Sequence, residues 1–452
     1  MGCYLVRAII FISTKGMTKT LAKGSRKLLH AWAFYDWANS VYSLVIASAV
    51  FPIFYGALFR EADIEKISVF GGSIARAPLI SYVTAAAFLV VSVISPFLSG
   101  IADYTGNKKA FLKFFCYLGA FSCIGLYWFS LEHIYIGLSC YFLALIGFWA
   151  SLVFYNSYLP DIAFPEQQDA ISARGYSMGY IGSVLLLLLC LAMIMKHEWF
   201  GFDTAAAPTR WSFVLTGIWW MGFSQYSFYY LPRGNDSNGK LRKDVLFNGF
   251  RELRQVWRRL GDSPKLKRYL LAFFVYSMAV QTVMLAATYF GEEELEWGGA
   301  DERTVGLIVS ILLIQIVAAA GAWATSKVTV RLGNIKTLTI INVLWSLICI
   351  YAYFVVSPVQ FYIAASFVGL VMGGIQSLSR STYSRFLPET RDTASFFSFY
   401  DVAEKIGIVI GMFLYGFIAQ LTGSMRNSVL FLGGLFIVGI VLLVRVNKTG
   451  KS

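Results

Sequence analysis

Residues 32–43 read Trp32-Ala33-Phe34-Tyr35-Asp36-Trp37-Ala38-Asn39-Ser40-Val41-Tyr42-Ser43 and open an apolar run that ends near Leu58. A run of about 20 mostly apolar residues suffices to cross a bilayer, yet this one carries an acid, an amide and hydroxyls. An ionisable group at membrane depth costs at least ~2.5 kcal/mol on the mildest insertion scale, so it faces a bundle interior or a wet cavity. Asp36, Asn39 and Ser43 stand at i, i+3 and i+7 and share one helix face. That face is expected to look inward.

The rest of the chain repeats the pattern. Of its 452 residues 57% are hydrophobic and only 14% charged, against about 25% charged in soluble domains. This is the composition of a polytopic membrane protein, with the lipid bilayer as its solvent. Twelve candidate spans follow: 31–58, 79–101, 111–130, 133–157, 173–195, 211–231, 268–290, 304–326, 337–356, 359–382, 395–420 and 426–446. They predict an all-α integral membrane fold: a segment 1–30, a six-helix bundle 31–231, a central loop 232–267, a second six-helix bundle 268–446 and a tail 447–452. Met17 opens a stretch as suited to a translation start as Met1 is.

The formal charge of +13 does not mark a nucleic-acid binder, because Lys and Arg gather in short loops between apolar runs, where they set topology. The segment before the first span and the central loop are rich in base, whereas 291–302 holds six acids and no base. Both termini and the central loop are therefore expected in the cytoplasm, with the chain in a bacterial plasma membrane. The loop between spans four and five is the exception, acidic where base is expected. Six scattered cysteines and three histidines fit neither a disulfide framework nor a metal site. No cofactor is expected, and no zincin helix or Walker loop points to an enzyme.

In the central loop Leu246, Phe250, Leu253, Trp257 and Leu260 recur at helical spacing, with Arg251, Arg254 and Arg258 on other faces. This predicts an amphipathic helix on the membrane surface. The two halves read as weak repeats: Gly106-Asn107-Lys108-Lys109 after span two answers Gly333-Asn334-Ile335-Lys336 after span eight, and Tyr158-Leu159-Pro160 answers Phe386-Leu387-Pro388. Two parallel six-span repeats around a midplane site is a transporter architecture.

The loop Ser99-Gly100-Ile101-Ala102-Asp103-Tyr104-Thr105-Gly106-Asn107-Lys108-Lys109 resembles the signature after span two of the major facilitator superfamily. Asp103, Gly106 and Lys108 match it; Ser99, Tyr104 and Asn107 depart from it. Asp103 is expected to accept from a helix N-terminus, that of span eleven. Phe34–Ser40, Tyr155–Pro160, Ser172–Gly182, Gln376–Ser381 and Phe396–Lys405 are similar to the autophagy-related, vacuole-effluxer-like branch of that superfamily. The resemblance covers about residues 30–445. It implies a secondary transporter of a small polar solute, with amino-acid efflux as the branch's associated activity.

Asp401 and Lys405, at i and i+4, can pair, which leaves Glu404 over; Arg174 and Arg380 are candidate partners. By the family arrangement Asp36 would view the cavity across from span seven, beside Gln281 and Tyr276. Two readings stay open: Asp36 or Glu404 carries a coupling proton, or these acids are permanently paired and fix helix register. Asp103, Asp401 and Lys405 join them as gating or coupling candidates. Asn39, Ser43, Tyr155, Asn156, Arg174, Gln281, Gln376, Ser377 and Arg380 are cavity candidates, with interhelical hydrogen bonding as their plain alternative. A lipid-handling protein of the same fold is the other functional reading and would need an apolar groove open to the bilayer.

Overall fold

The computed structural model describes residues 21–64, 66–69, 71–204, 206–233 and 245–447. Parts of the expected amino-terminal segment, central loop and tail lie outside the described residues, as do the side chains of Leu246, Phe250 and Leu253.

Eleven helices among the described residues are long and apolar enough to span a membrane. Spans one to five are Arg26–Arg60, Leu79–Thr105, Lys108–Trp128, Ile134–Ile162 and Pro165–Met195. Spans seven to twelve are Pro264–Glu293, Val305–Leu332, Asn334–Tyr353, Pro358–Phe386, Thr393–Thr422 and Met425–Val446. The helix Ala206–Tyr230 is of spanning length and takes sixth place. It is less apolar because it carries Ser212, Thr216, Ser224 and Ser227, all fully buried. Ser212 and Thr216 answer their desolvation by donating to carbonyls one turn back in the same helix. Among the described residues the only strands form a small antiparallel hairpin between spans one and two, Lys66–Val69 with Gly72–Ala75.

Two compact units result. The first holds the chain up to Tyr158 together with Ile181–Arg251; the second holds Leu159–Tyr180 and everything from Glu252 on. Span five therefore changes allegiance halfway along its length.

Within each unit an arginine at the start of the last span pins two helix ends. In unit one Arg210 Nη1 donates to the carbonyls of Tyr127 at 2.7 Å and Phe129 at 2.8 Å, at the end of span three. Its guanidinium lies 5.1 Å from the Phe54 ring of span one. In unit two Arg426 Nη1 donates to Tyr353 at 2.8 Å and Val355 at 2.6 Å, at the end of span nine, and sits 5.8 Å from the Phe290 ring of span seven. Helix C-termini leave unsatisfied carbonyls and a negative dipole end, which a guanidinium answers on both counts. The repeat seen weakly in the loops is thus present as the same interaction made twice. Unit two adds an acid: Arg426 Nε is 2.8 Å from Glu294 Oε2.

Spans eight and ten lie against each other through glycine. A Cβ on Gly373 would stand 2.0 Å from the Ala318 carbonyl oxygen, and one on Gly321 would stand 2.1 Å from that of Leu370. Small residues permit such backbone approach, the means by which helices associate where the hydrophobic effect offers nothing.

Span one is not a uniform α-helix. Tyr42–Val50 is wound as a π-helix. Pro52, with no N–H to give, follows it, and Ser43 and Ser48 donate their hydroxyls to the Ser40 and Ser43 carbonyls at 2.9 Å and 2.8 Å. The expected face from Asp36 to Ser43 therefore ends where the helical period changes.

The helix expected in the central loop is present as Val245–Asp262. Val256 and Leu260 are buried in the core of unit two, Trp257 stands exposed, and Arg259 pairs with Asp392 at 2.7 Å.

Replacing Arg426 by Met would take the paired cation from Glu294 and the donor from the Tyr353, Val355 and Glu294 carbonyls, leaving Ser424 Oγ and the Met425 N–H still donating to Glu294 Oε1. Breaking a mostly buried pair costs about 3 kcal/mol, so the unfolding midpoint in detergent should fall clearly below that of the wild type. Differential scanning fluorimetry with Arg426→Met beside Arg426→Lys measures this, with the lysine variant intermediate.

Candidate functional site

The polar groups inside unit two gather on spans seven, ten and eleven and on the first half of span five. Asp401 and Lys405 form the expected pair one turn apart on span eleven, both buried. Glu404, on the same turn and half-buried, is met by span seven: Gln281 Nε2 donates to its Oε1 at 2.7 Å. Beside them Tyr269, Tyr276 and Ser379 form a buried hydroxyl chain, with Tyr276 Oη 3.1 Å from Tyr269 Oη and 2.8 Å from Ser379 Oγ. Phe273 stacks on Tyr400 at 4.0 Å between ring centroids and closes this side with apolar surface.

Span five supplies the opposite wall. Ser172, Tyr176 and Tyr180 stand one turn apart each and meet span ten. Arg380 donates to the Ser172 hydroxyl at 2.9 Å and carbonyl at 3.0 Å, and its guanidinium stacks 4.2 Å from the Tyr176 ring. Ser172 Oγ donates to the Ser377 carbonyl at 2.7 Å, and Tyr180 Oη to Gln376 Oε1 at 2.6 Å. Ser177 reaches the Ala319 carbonyl of span eight at 2.8 Å. At the mouth of span five Asp169 takes Arg385 at 2.6 Å and Asn334 at 2.8 Å, and Asp161 takes Thr393 at 3.5 Å. Two of the acidic loop's three carboxylates are thus bonded within unit two, and Asp161 is the one at the start of span eleven. Asp103 itself is half-buried one turn before Gly106, whose φ of 65° gives the left-handed turn expected there. Behind that turn Lys108 and Lys109 are buried and donate to the Ser157 and Leu231 carbonyls at 3.4 Å and 2.6 Å.

Asp36 lies in unit one. Its Oδ2 accepts from Tyr155 Oη at 2.8 Å, and the Tyr155 ring packs against those of Trp32 and Tyr35, all three fully buried. Trp32 stacks on Tyr155 at 4.6 Å and donates to the Tyr155 carbonyl at 2.9 Å. Gln281 and Tyr276, expected beside Asp36, are bound to Glu404 and to Tyr269 and Ser379. Asn39 is buried with its Nδ2 unbonded among the described residues, and Ser43 is turned into its own helix. Asn156 is half-buried.

The candidates thus sort into three groups: Asp36 with Tyr155; Gln281 and Glu404 beside Asp401 and Lys405; and Gln376, Ser377 and Arg380 with span five. Arg174, expected as a partner for the acids, is exposed and makes no hydrogen bond or ion pair among the described residues. Ser377 spends its hydroxyl on the Gly373 carbonyl at 2.7 Å, a helix-internal bond. Ser172, Tyr176 and Tyr180 were missed as site residues, although their i, i+4, i+8 spacing opposite Arg174 was a readable signal. A cavity of ≈ 60 Å³ lined by Val283, Phe290, Phe361, Tyr415 and Leu432 is almost wholly apolar and carries none of these groups.

Residues 24–451 match the family model described as vacuole effluxer Atg22 like. The uncharacterised MFS-type transporter YxiO of Bacillus subtilis (strain 168) is 32% identical over 434 residues, 94% of this chain and 96% of that one. Autophagy-related protein 22-2 of Neosartorya fischeri is 23% identical, over 84% of this chain and 76% of its own. In fold the chain is similar to the human organic anion transporter MFSD10, with a TM-score of 0.69 at 13% identity over 92% of this chain and 99% of that one. The proton:xylose symporter XylE gives 0.69 at 12% identity, over 93% and 95%. With twelve spans in two repeats and a family match over nearly its whole length, the chain belongs to the Atg22-like branch of the major facilitator superfamily of transporters.

Proposed function

We propose that this transporter moves a small polar solute, with amino acids as the favoured class, by alternating access, and that Glu404 takes up and releases the coupling proton. The observation that carries the proposal is the Gln281–Glu404 hydrogen bond. A carboxamide both donates and accepts. It donates N–H to the ionised carboxylate and, turned over, accepts O–H from the protonated one. Glu404 can therefore change charge without stranding a buried partner. Asp401 is less suited, because protonating it would break its ion pair with the buried Lys405 ammonium on the same helix. Asp36 is buried whereas Glu404 is half-buried, and a proton carrier must meet water. Amino acids enter from the activity associated with the vacuole-effluxer-like branch that the chain resembles and from the pairing of donors and carboxylates on spans seven, ten and eleven, which suits a zwitterion. The branch implies efflux. The basic end of unit two, with Lys327, Arg331 and Lys336, opposed to the acidic end at Glu292–Glu294, supports a cytoplasmic central loop.

In proteoliposomes with an imposed pH gradient and a labelled amino-acid mixture, Glu404→Gln should lose gradient-driven accumulation while keeping solute exchange. Asp36→Asn should keep both. Gradient-driven accumulation by Glu404→Gln at the wild-type level would remove Glu404 as the proton carrier.

The Asp169–Arg385 pair acts in this reading as a latch that holds the start of span five on unit two. An ion pair with one partner about a third exposed is worth up to ~1 kcal/mol, or roughly fivefold in an equilibrium. Asp169→Asn should therefore raise maleimide labelling of Ala173→Cys, a buried neighbour on span five, by up to about that factor. Unchanged labelling would show that the pair does not hold the gate.

A further inference from the structure

Unit two carries exposed bases that make no ion pair among the described residues. The helix Val245–Asp262 is fixed by Val256, Leu260 and the Arg259–Asp392 pair. Arg254 and Arg258, one turn apart, project from its polar face; both are exposed and make no ion pair among the described residues. Trp257 next to them is 63% exposed with its ring 5.5 Å from Phe399. The chain then passes through Ser263 directly into span seven at Pro264. Lys267 and Arg268, in the first turn of that span, are exposed too. Arg268 Nη1 reaches the Arg445 carbonyl at the end of span twelve, 3.5 Å away, which sets two arginines at adjoining helix ends with no carboxylate between them.

We infer that this basic collar binds the headgroups of anionic phospholipids in the bilayer that surrounds it. Continuity with spans seven and twelve fixes the occupant. A base in the first turn of a span stands at headgroup depth, so the negative charge always within reach is lipid phosphate. The guanidinium fork matches a phosphate, and an exposed tryptophan beside it suits the interfacial layer. Surface bases near an anionic leaflet attract it independently of any specific pocket, so the contribution of each should add. An acidic protein segment could use the same charge but not the tryptophan or the position.

The test uses the full chain purified in detergent and titrated with short-chain phosphatidylglycerol or phosphatidylcholine, read by Trp fluorescence and by thermal unfolding. Phosphatidylglycerol should bind and raise the unfolding midpoint, and phosphatidylcholine should not. Arg254→Gln/Arg258→Gln and Arg268→Gln/Arg445→Gln should each weaken binding by about fivefold per base removed. Arg254→Lys/Arg258→Lys should retain it, and the glutamine variants should unfold as the wild type does when phosphatidylcholine alone is present. Wild-type affinity in both glutamine variants would overturn the proposal. So would equal binding of inorganic phosphate, which would mark a free-anion site, or of polyglutamate, which would mark a protein partner.

Discussion

A charge inside this protein survives only where its partner is already in place. The bilayer supplies neither water nor counter-ion, and the penalty for an isolated buried ion is several kcal/mol. Unit two meets the constraint in three forms. Asp401 has Lys405 on its own helix. Arg426 has Glu294 and two helix-end carbonyls. Arg380 has a serine, a carbonyl and the face of a tyrosine. The last two hold helices in register, because each ties together points on different helices that packing of leucines alone would leave free to slide.

The constraint also explains what could be read from the sequence. Spans are legible because apolar length is a property of a local window. The Asp401–Lys405 pair is legible because both partners lie one turn apart. The glycine turn at Gly106 is legible because only the left-handed region closes so tight a loop. The partner of Glu404 was not, because Gln281 is distant in sequence and no local period points from one to the other. Arg174 looked like a partner by residue type, but it stands on the far side of span five from Ser172, Tyr176 and Tyr180. The double arginine pin at Arg210 and Arg426 escaped for a similar reason. Its acceptors are backbone carbonyls, and any residue has one.

The acidic loop before span five shows how topology rules and pair chemistry interact. Lys and Arg counts set orientation statistically, but a carboxylate bonded to Arg385 and Asn334 is no longer loop charge facing solvent. Asp169 is thus a structural acid, not a topology signal. The same contacts account for the division of span five, whose first half is bound to spans eight and ten by side chains at 172, 177 and 180.

Span one completes the argument from the other unit. Its carboxylate was the first anomaly in the sequence, and within unit one the structure gives it the Tyr155 hydroxyl. Asp36 is buried, so a coupling role for it would need a route for the proton as well as a carboxylate to receive it. Titratability is therefore not sufficient for coupling; access has to alternate too. The nine-residue π segment that starts at Tyr42 lies just beyond this carboxylate. Wider winding there weakens the regular hydrogen-bond ladder, and Ser43 and Ser48 compensate with side-chain bonds to the backbone. If any part of span one opens a route to Asp36, physical chemistry places the break at that segment, where the ladder is already partly side-chain supported, rather than in the α-helical stretch that carries the acid.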